Sequence, residues 1–175
     1  MLERVSSAAS SDALESALSS PTDVGGLASL LSDLAPLGVD LSAVDPFLEA
    51  MARGAAIKRE LLTSAGGGLT SSQVASALGI TRQAVDKRRG RRALLAVPNG
   101  SGEYVYPACQ FTSDGVIAGL EEVLRAFQIQ SPWTQLSVLL ASAPALGGKA
   151  ILEALKSGVL ETSVAIARSF GEQAA

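Results

Sequence analysis

Six cationic side chains, Arg82, Lys87, Arg88, Arg89, Arg91 and Arg92, stand within eleven residues and are opposed only by Asp86. Such a cluster can do two kinds of chemistry on duplex DNA. A forked arginine reads the O6/N7 edge of guanine and a glutamine the N6/N7 edge of adenine, each good pair giving roughly 1–3 kcal/mol of discrimination. Cations without that geometry neutralise phosphates instead. At the start of the segment, Thr81, Arg82, Gln83 and Asp86 are the candidates for base edges. Lys87, Arg88, Arg89, Arg91 and Arg92 are the candidates for phosphates, with Lys58 and Arg59 upstream as further backbone contacts. A solvated face is the usual fate of a charge run, but rarely one of such uniform sign.

Other chemistries find little support. The chain has no histidine, which removes the usual imidazole metal ligand and both Ser-His-Asp and Cys-His catalysis. The single cysteine, Cys109, excludes an intrachain disulfide and is expected to be a small buried residue. Gly66-Gly67-Gly68 lacks the Gly-Lys-Ser/Thr that completes a phosphate loop. Glu121 and Glu122 are adjacent on a predicted helix, so their side chains diverge by about 100° and cannot share one substrate atom. An enzyme is not expected, nor a metal or cofactor.

The cations must be held by something, and the sequence supplies it. In LTSSQVASALGITRQAVDKRRGRR, residues 69–92, Ala75, Gly79 and Val85 fall at helix-turn-helix spacing. A small residue permits close crossing, a glycine permits a left-handed turn, and a valine buries the second helix. Thr70 with Gln73 forms a capping box, and Thr81 is a second N-cap. The second helix of such a motif lies in the major groove. A plain αα-hairpin explains the apolar spacing equally well, but not the charge.

The 175-residue chain is 47% hydrophobic and 4% aromatic, with a net charge of −3. That average hides a strong asymmetry. Residues 1–52 carry one basic and eight acidic residues, residues 53–92 nine and two, and residues 93–175 four and seven. A basic island in an acidic chain is the footprint of a confined electrostatic site. The expected fold is mainly α, in three regions: an acidic helical extension over 1–52, the helix-turn-helix with a β-hairpin over 53–112, and a small helical bundle over 113–175.

Within these regions, a weak helix is expected over Ala8–Leu18 and a short apolar stretch over Leu27–Leu34. A helix starting at Asp45-Pro46 should carry Phe47, Leu48, Met51, Ile57 and Leu61 as one stripe. Ala93–Val97 and Glu103–Tyr106, around Pro98-Asn99-Gly100-Ser101-Gly102, read as a hairpin. It is either the wing of a winged helix-turn-helix or a cover for the core. Helical patterning resumes from Asp114 and again from Ser131-Pro132, where serine is the N-cap. A further helix from Ala150 should end at Gly158, with a last one over Glu161–Phe170. The N-terminus lacks the basic-then-apolar order of a secretory leader, and no apolar run reaches about 18 residues. The expected location is cytoplasmic.

The order Pro132-Trp133…Leu136…Leu146-Gly147…Ile151-Leu152…Leu155…Gly158, followed by a terminal helix, resembles the toxin-binding domain of Xre/MbcA/ParS-type antitoxins. The preceding Gly79–Val85 stretch and Tyr106-Pro107-Ala108-Cys109-Gln110-Phe111 are similar to the regions that lead into that domain in such chains. The resemblance covers residues 54–171. Two departures stand out: Lys149-Ala150 replaces a frequent Ser/Thr-Pro pair, and Cys109 stands where tryptophan often follows Tyr-Pro-Ala.

The resemblance implies a homodimeric antitoxin of a bacterial type II system. It would bind double-stranded DNA, autoregulate its operon and occlude a protein toxin, many of which are RES-domain proteins that consume NAD. It makes Trp133, Leu136, Leu146, Gly147, Leu152, Leu155, Gly158 and Arg168 the candidate partner contacts. The toxin would meet the Ala143–Gly148 loop and the terminal helix. Apolar residues at helical spacing are more often core than interface. The rival reading is a stand-alone repressor or phage-type regulator whose C-terminal helices only dimerise.

Overall fold

A computed structural model describes residues 46–99 and 102–170, with side chains from Ala50 onward. The expected helices over Ala8–Leu18 and Leu27–Leu34 lie outside the described residues, as does Asp45. The fold is mainly α, with seven α-helices and small antiparallel strand pairs among the described residues. Two compact units divide it. One takes in the described residues up to Glu60 with Pro98–Glu103, and the other Leu61–Val97 with the described residues from Tyr104 onward.

In the first unit, helix α1 (Pro46–Ser64) begins at the predicted proline and buries Ala52. Ile57 departs from the expected stripe and is 57% exposed. Six residues beyond Met51, it falls about 120° round the helix from it. The hairpin tip belongs to the same unit and is closed locally: the Asn99 amide donates to the Glu103 carbonyl, and the Glu103 amide to Asn99 Oδ1.

The second unit starts with the end of α1. The Gly66 and Gly67 amides donate to the Thr63 and Leu62 carbonyls, both glycines at positive φ. Strand β1 (Gly68–Leu69) then passes so close to the next sheet strand that a Cβ on Gly68 would overlap Val105. The glycine triplet is therefore both a helix stop and a packing requirement.

Helix α2 (Ser71–Leu78) opens with the predicted capping box. Thr70 Oγ1 accepts from the Gln73 amide at 3.3 Å, and the Thr70 amide donates to Gln73 Oε1 at 2.8 Å. Gly79 takes the left-handed conformation, φ 63°, and turns the chain into α3 (Arg82–Gly90), whose N-cap Thr81 accepts from the Ala84 amide. Val74, Ala75 and Val85 are buried together with Leu94, Ala96 and Tyr106.

The expected strand Ala93–Val97 is shorter than predicted. Only Val97–Pro98 (β2) pairs, beside Tyr104–Pro107 (β3), in the sheet order β1-β3-β2. The reason is Gln110, buried at 2% exposure in the 3-10 turn Ala108–Gln110. Its Oε1 accepts from the Leu95 amide at 2.9 Å, while Nε2 donates to the Leu95 and Pro107 carbonyls at 2.9 and 3.0 Å. One side-chain amide thus stands in for a neighbouring strand.

Helical structure does not resume at Asp114. Phe111–Thr112 (β4) and Gly115–Val116 (β5) form a second small hairpin, and Gly119 at φ 82° delays α4 to Leu120–Ala126. Helices α5 (Pro132–Leu140), α6 (Ile151–Lys156) and α7 (Glu161–Ser169) follow. Ser131 caps α5, accepting from the Thr134 amide, and Gly158 ends α6 at φ 80° as expected. Ala150, without a capping side chain, is served by Glu153, which accepts from its amide at 3.1 Å.

Their core joins Leu120, Val123, Leu124, Phe127, Leu136, Leu139, Ile151 and Leu155 to Leu95 and Val97. The regions 61–97 and 113–170 therefore share one compact unit. Among the described residues no helix is long and apolar enough to cross a membrane.

Truncating Gln110 to alanine orphans buried backbone groups, each costing about 1–3 kcal/mol. Gln110→Ala is expected to lower the urea-unfolding free energy by roughly 2–4 kcal/mol. A loss near zero would show that the clamp is not structural.

Candidate nucleic-acid interface

The rotation of α3 about its axis is set by Val85, which is completely buried. At about 100° per residue, positions 82, 83, 86 and 87 then share one arc of about 140°, from about 60° to about 200° round the helix from Val85. Arg82, Gln83, Asp86 and Lys87 are all exposed. The N-terminal half of the helix therefore presents two cations, an amide and a carboxylate on one face. Thr81 is exposed too, but its hydroxyl is engaged as the cap.

The remaining arginines behave differently. Arg88 and Arg89 border the buried side and are half-buried. The Arg89 guanidinium lies over the Tyr104 ring, 4.0 Å from its centroid, and its Nε faces Asp86 Oδ1 at 3.7 Å. Arg91 closes the helix, and its carbonyl accepts from Arg125 Nε at 3.4 Å. Its side chain is exposed and, with Arg88, lines a cleft of about 310 Å³ shared with Glu121 and Glu122. Arg92 adopts φ 61°, and its guanidinium donates to Gln130 Oε1 at 2.7 Å and to the Phe127 carbonyl at 3.4 Å. The arginine run thus splits: Arg82 and Lys87 face outward, while Arg89 and Arg92 turn onto partners within the chain. Lys58 and Arg59 are exposed on α1, in the other unit.

Tyr104, Tyr106, Gln110 and Gln130 were not anticipated as partners. The Tyr-Val-Tyr alternation was a usable signal, since period-two spacing puts both phenols on one face of β3. Tyr106 is fully buried beside α3, and no well-formed hydrogen bond reaches its hydroxyl. Burial raises its pKa above the ordinary value of 10.0, the Asp86 charge adds to the rise, and Arg89 opposes it.

Of the candidate partner contacts, the structure places Leu136, Leu146, Leu152 and Leu155 in the core. Trp133 is half-buried, and Gly147, Gly158 and Arg168 are exposed. Gly147 and Gly158 lie in the left-handed region, which explains them as turn residues. Exposed apolar surface at this end comes from Val159, Leu160 and Phe170 instead. Cys109 is half-buried rather than buried, and desolvation pushes its thiol pKa up. Among the described residues no cluster of His, Cys, Asp and Glu could hold a metal ion.

No family model, curated protein or solved structure matches the chain at a significant level.

The Tyr106 shift gives a signed pH dependence. Below pH 10 the phenol is protonated in folded and unfolded chains alike and contributes none. As pH rises past 10.0, the unfolded chain loses this proton first and stability falls. Tyr106→Phe is expected to stay within about 1 kcal/mol of wild type at neutral pH, since it removes a hydroxyl without a well-formed partner. It should also flatten the alkaline limb of the stability curve. An unchanged alkaline limb in urea titrations would assign that loss to other groups.

Proposed function

We propose that this protein is a sequence-specific DNA-binding regulator that meets the major groove with the outward face of α3. The observation that carries the reading is the shared exposure of Arg82, Gln83, Asp86 and Lys87 on a helix anchored by Val85. The chain order α1, β1, α2, α3, β2, β3, with sheet order β1-β3-β2, supports a winged helix-turn-helix. Arg82 and Gln83 then read base edges, Asp86 accepts from a cytosine amine, and Lys87 contacts phosphate. One such module offers a small interface, so specificity calls for a homodimer on a two-fold operator.

The resemblance of the C-terminal residues extends the proposal: the regulator is the antitoxin of a toxin–antitoxin pair and represses its own operon. Exposed Val159, Leu160, Arg168 and Phe170 are the surface a toxin would meet. A second reading, a stand-alone repressor, is favoured by the burial of Leu136, Leu146, Leu152 and Leu155 inside the chain itself. Co-purification with the product of the neighbouring gene, lost in Val159→Asp and Phe170→Asp, separates the two readings. A chain that protects cells equally well with both substitutions would remove the antitoxin assignment.

For DNA, fluorescence anisotropy with the duplex upstream of the gene should show affinity falling steeply with salt. Lys87→Ala should weaken all sequences alike and lower the magnitude of the salt slope by about 1. Arg82→Ala and Gln83→Ala should each cost about 1–3 kcal/mol of discrimination at one base pair. A flat salt response, or unaltered sequence preference in both variants, would reject the proposed docking.

A further inference from the structure

Behind the last turn of α3 lies a cavity of about 180 Å³ whose lining includes Arg89, Arg92, Tyr104, Leu124, Gln130 and Gln135. We propose that it binds a small organic carboxylate, with the anionic head on the two guanidiniums and a compact apolar body against Leu124 and the neighbouring leucines. This inference is independent of the DNA reading.

Three observations point there. The lining contains two arginines and no carboxylate, and the nearest acid contact is Asp86, 3.7 Å from Arg89 Nε. That Nε is buried and makes no well-formed hydrogen bond, its ion pair with Asp86 being long, so the charge of the guanidinium is only partly met. Arg92 is the one non-glycine residue at positive φ among the described residues, φ 61°. Such a conformation is strained for a residue with a side chain and persists where surrounding structure enforces it. Here it directs the guanidinium to Gln130 rather than to solvent.

The chemistry of the ligand follows from the walls. Arg89 is stacked on Tyr104, and a stacked guanidinium keeps its edge donors available for a bidentate carboxylate. Gln130 is already fixed as an acceptor for Arg92, and Gln135 as a donor to the Ile129 carbonyl at 2.7 Å. Both hold the rim in place. The remaining wall is aliphatic, from Leu94, Leu95, Ala96, Leu124 and Pro132, and suits an apolar body. The volume is smaller than the roughly 300–1,000 Å³ typical of drug-sized pockets. That excludes a nucleotide and selects a ligand of a few carbons or a single ring.

The test is isothermal titration calorimetry of the full chain with benzoate, butyrate, benzamide and inorganic phosphate. Saturable binding of benzoate or butyrate, one per chain, at least about tenfold tighter than benzamide, is expected. Arg92→Gly suits the left-handed backbone and so retains the fold while deleting one guanidinium. Arg89→Gln deletes the other. Each should weaken carboxylate binding by about tenfold or more, and carboxylate should shift the Gln130 and Gln135 side-chain amide signals in NMR spectra of the wild type. Three results would overturn the proposal: no saturable carboxylate binding, equal binding of benzamide, or affinity retained in both folded variants. Binding of phosphate alone would also overturn it, since the apolar wall would then have no role.

Discussion

The orientation of α3 depends on one buried side chain. Val85 is enclosed by Val74, Ala75, Leu94, Ala96 and Tyr106, and burying a valine fully stabilises by about 1.5–3 kcal/mol. A rotation of the helix that released Val85 would also turn a charged neighbour inward, Asp86 in one sense and Arg88 in the other, where an uncompensated charge is costly. Apolar gain and charge penalty therefore favour the same rotation. Thr81 and the Gly79 turn fix the helix start, and the bond from the Ala93 amide to the Arg88 carbonyl at 2.8 Å fixes its end. The face formed by Arg82, Gln83, Asp86 and Lys87 is outward as a consequence.

What the sequence groups as one basic run the fold separates into two populations. Within the helix after Val85, position round the axis decides which population a residue joins. Residues three and four after Val85, Arg88 and Arg89, return toward its side and are half-buried; Lys87, two after it, is not. Arg89 finds an aromatic face and Arg92 a glutamine and a carbonyl. These are contacts a guanidinium makes better than an ammonium. The outward cations can respond to bulk salt, whereas the inward ones are screened far less.

The features legible in the sequence are those determined within a few residues. The Thr70–Gln73 box, the Thr81 and Ser131 caps and the Gly79 and Gly158 turns are local hydrogen-bonding and φ requirements, and each stands where the residue types place it. The features that escaped depend on residues far apart in the chain. Gln110 reaches Leu95 fifteen positions away, and Gln130 reaches Arg92 across thirty-eight. No periodicity signals a side chain that substitutes for a strand. The second hairpin was hidden for another reason: Gly115-Val116-Ile117 resembles the first turn of a helix, and only the glycine conformations at 115 and 119 show otherwise. For the candidate site, outward Arg82 and Gln83 were legible from spacing, but the inward turn of Arg89 and Arg92 was not. It needs Tyr104 and Gln130 in place.

The segment Leu94–Val97 links the two cores by simple alternation. Leu94 and Ala96 enter the cluster that holds α3, while Leu95 and Val97 enter the cluster built by the C-terminal helices. Extended backbone sends successive side chains to opposite sides, so these four residues form a wall common to both. Gln110 holds that wall by both hydrogen-bonding groups of Leu95. A shift of the C-terminal helices that moved Leu95 would have to move Leu94, and with it the packing around Val85. The two clusters are thus packed on opposite sides of one shared segment. The segment is held at the Leu95 backbone by the same glutamine that replaces the missing strand.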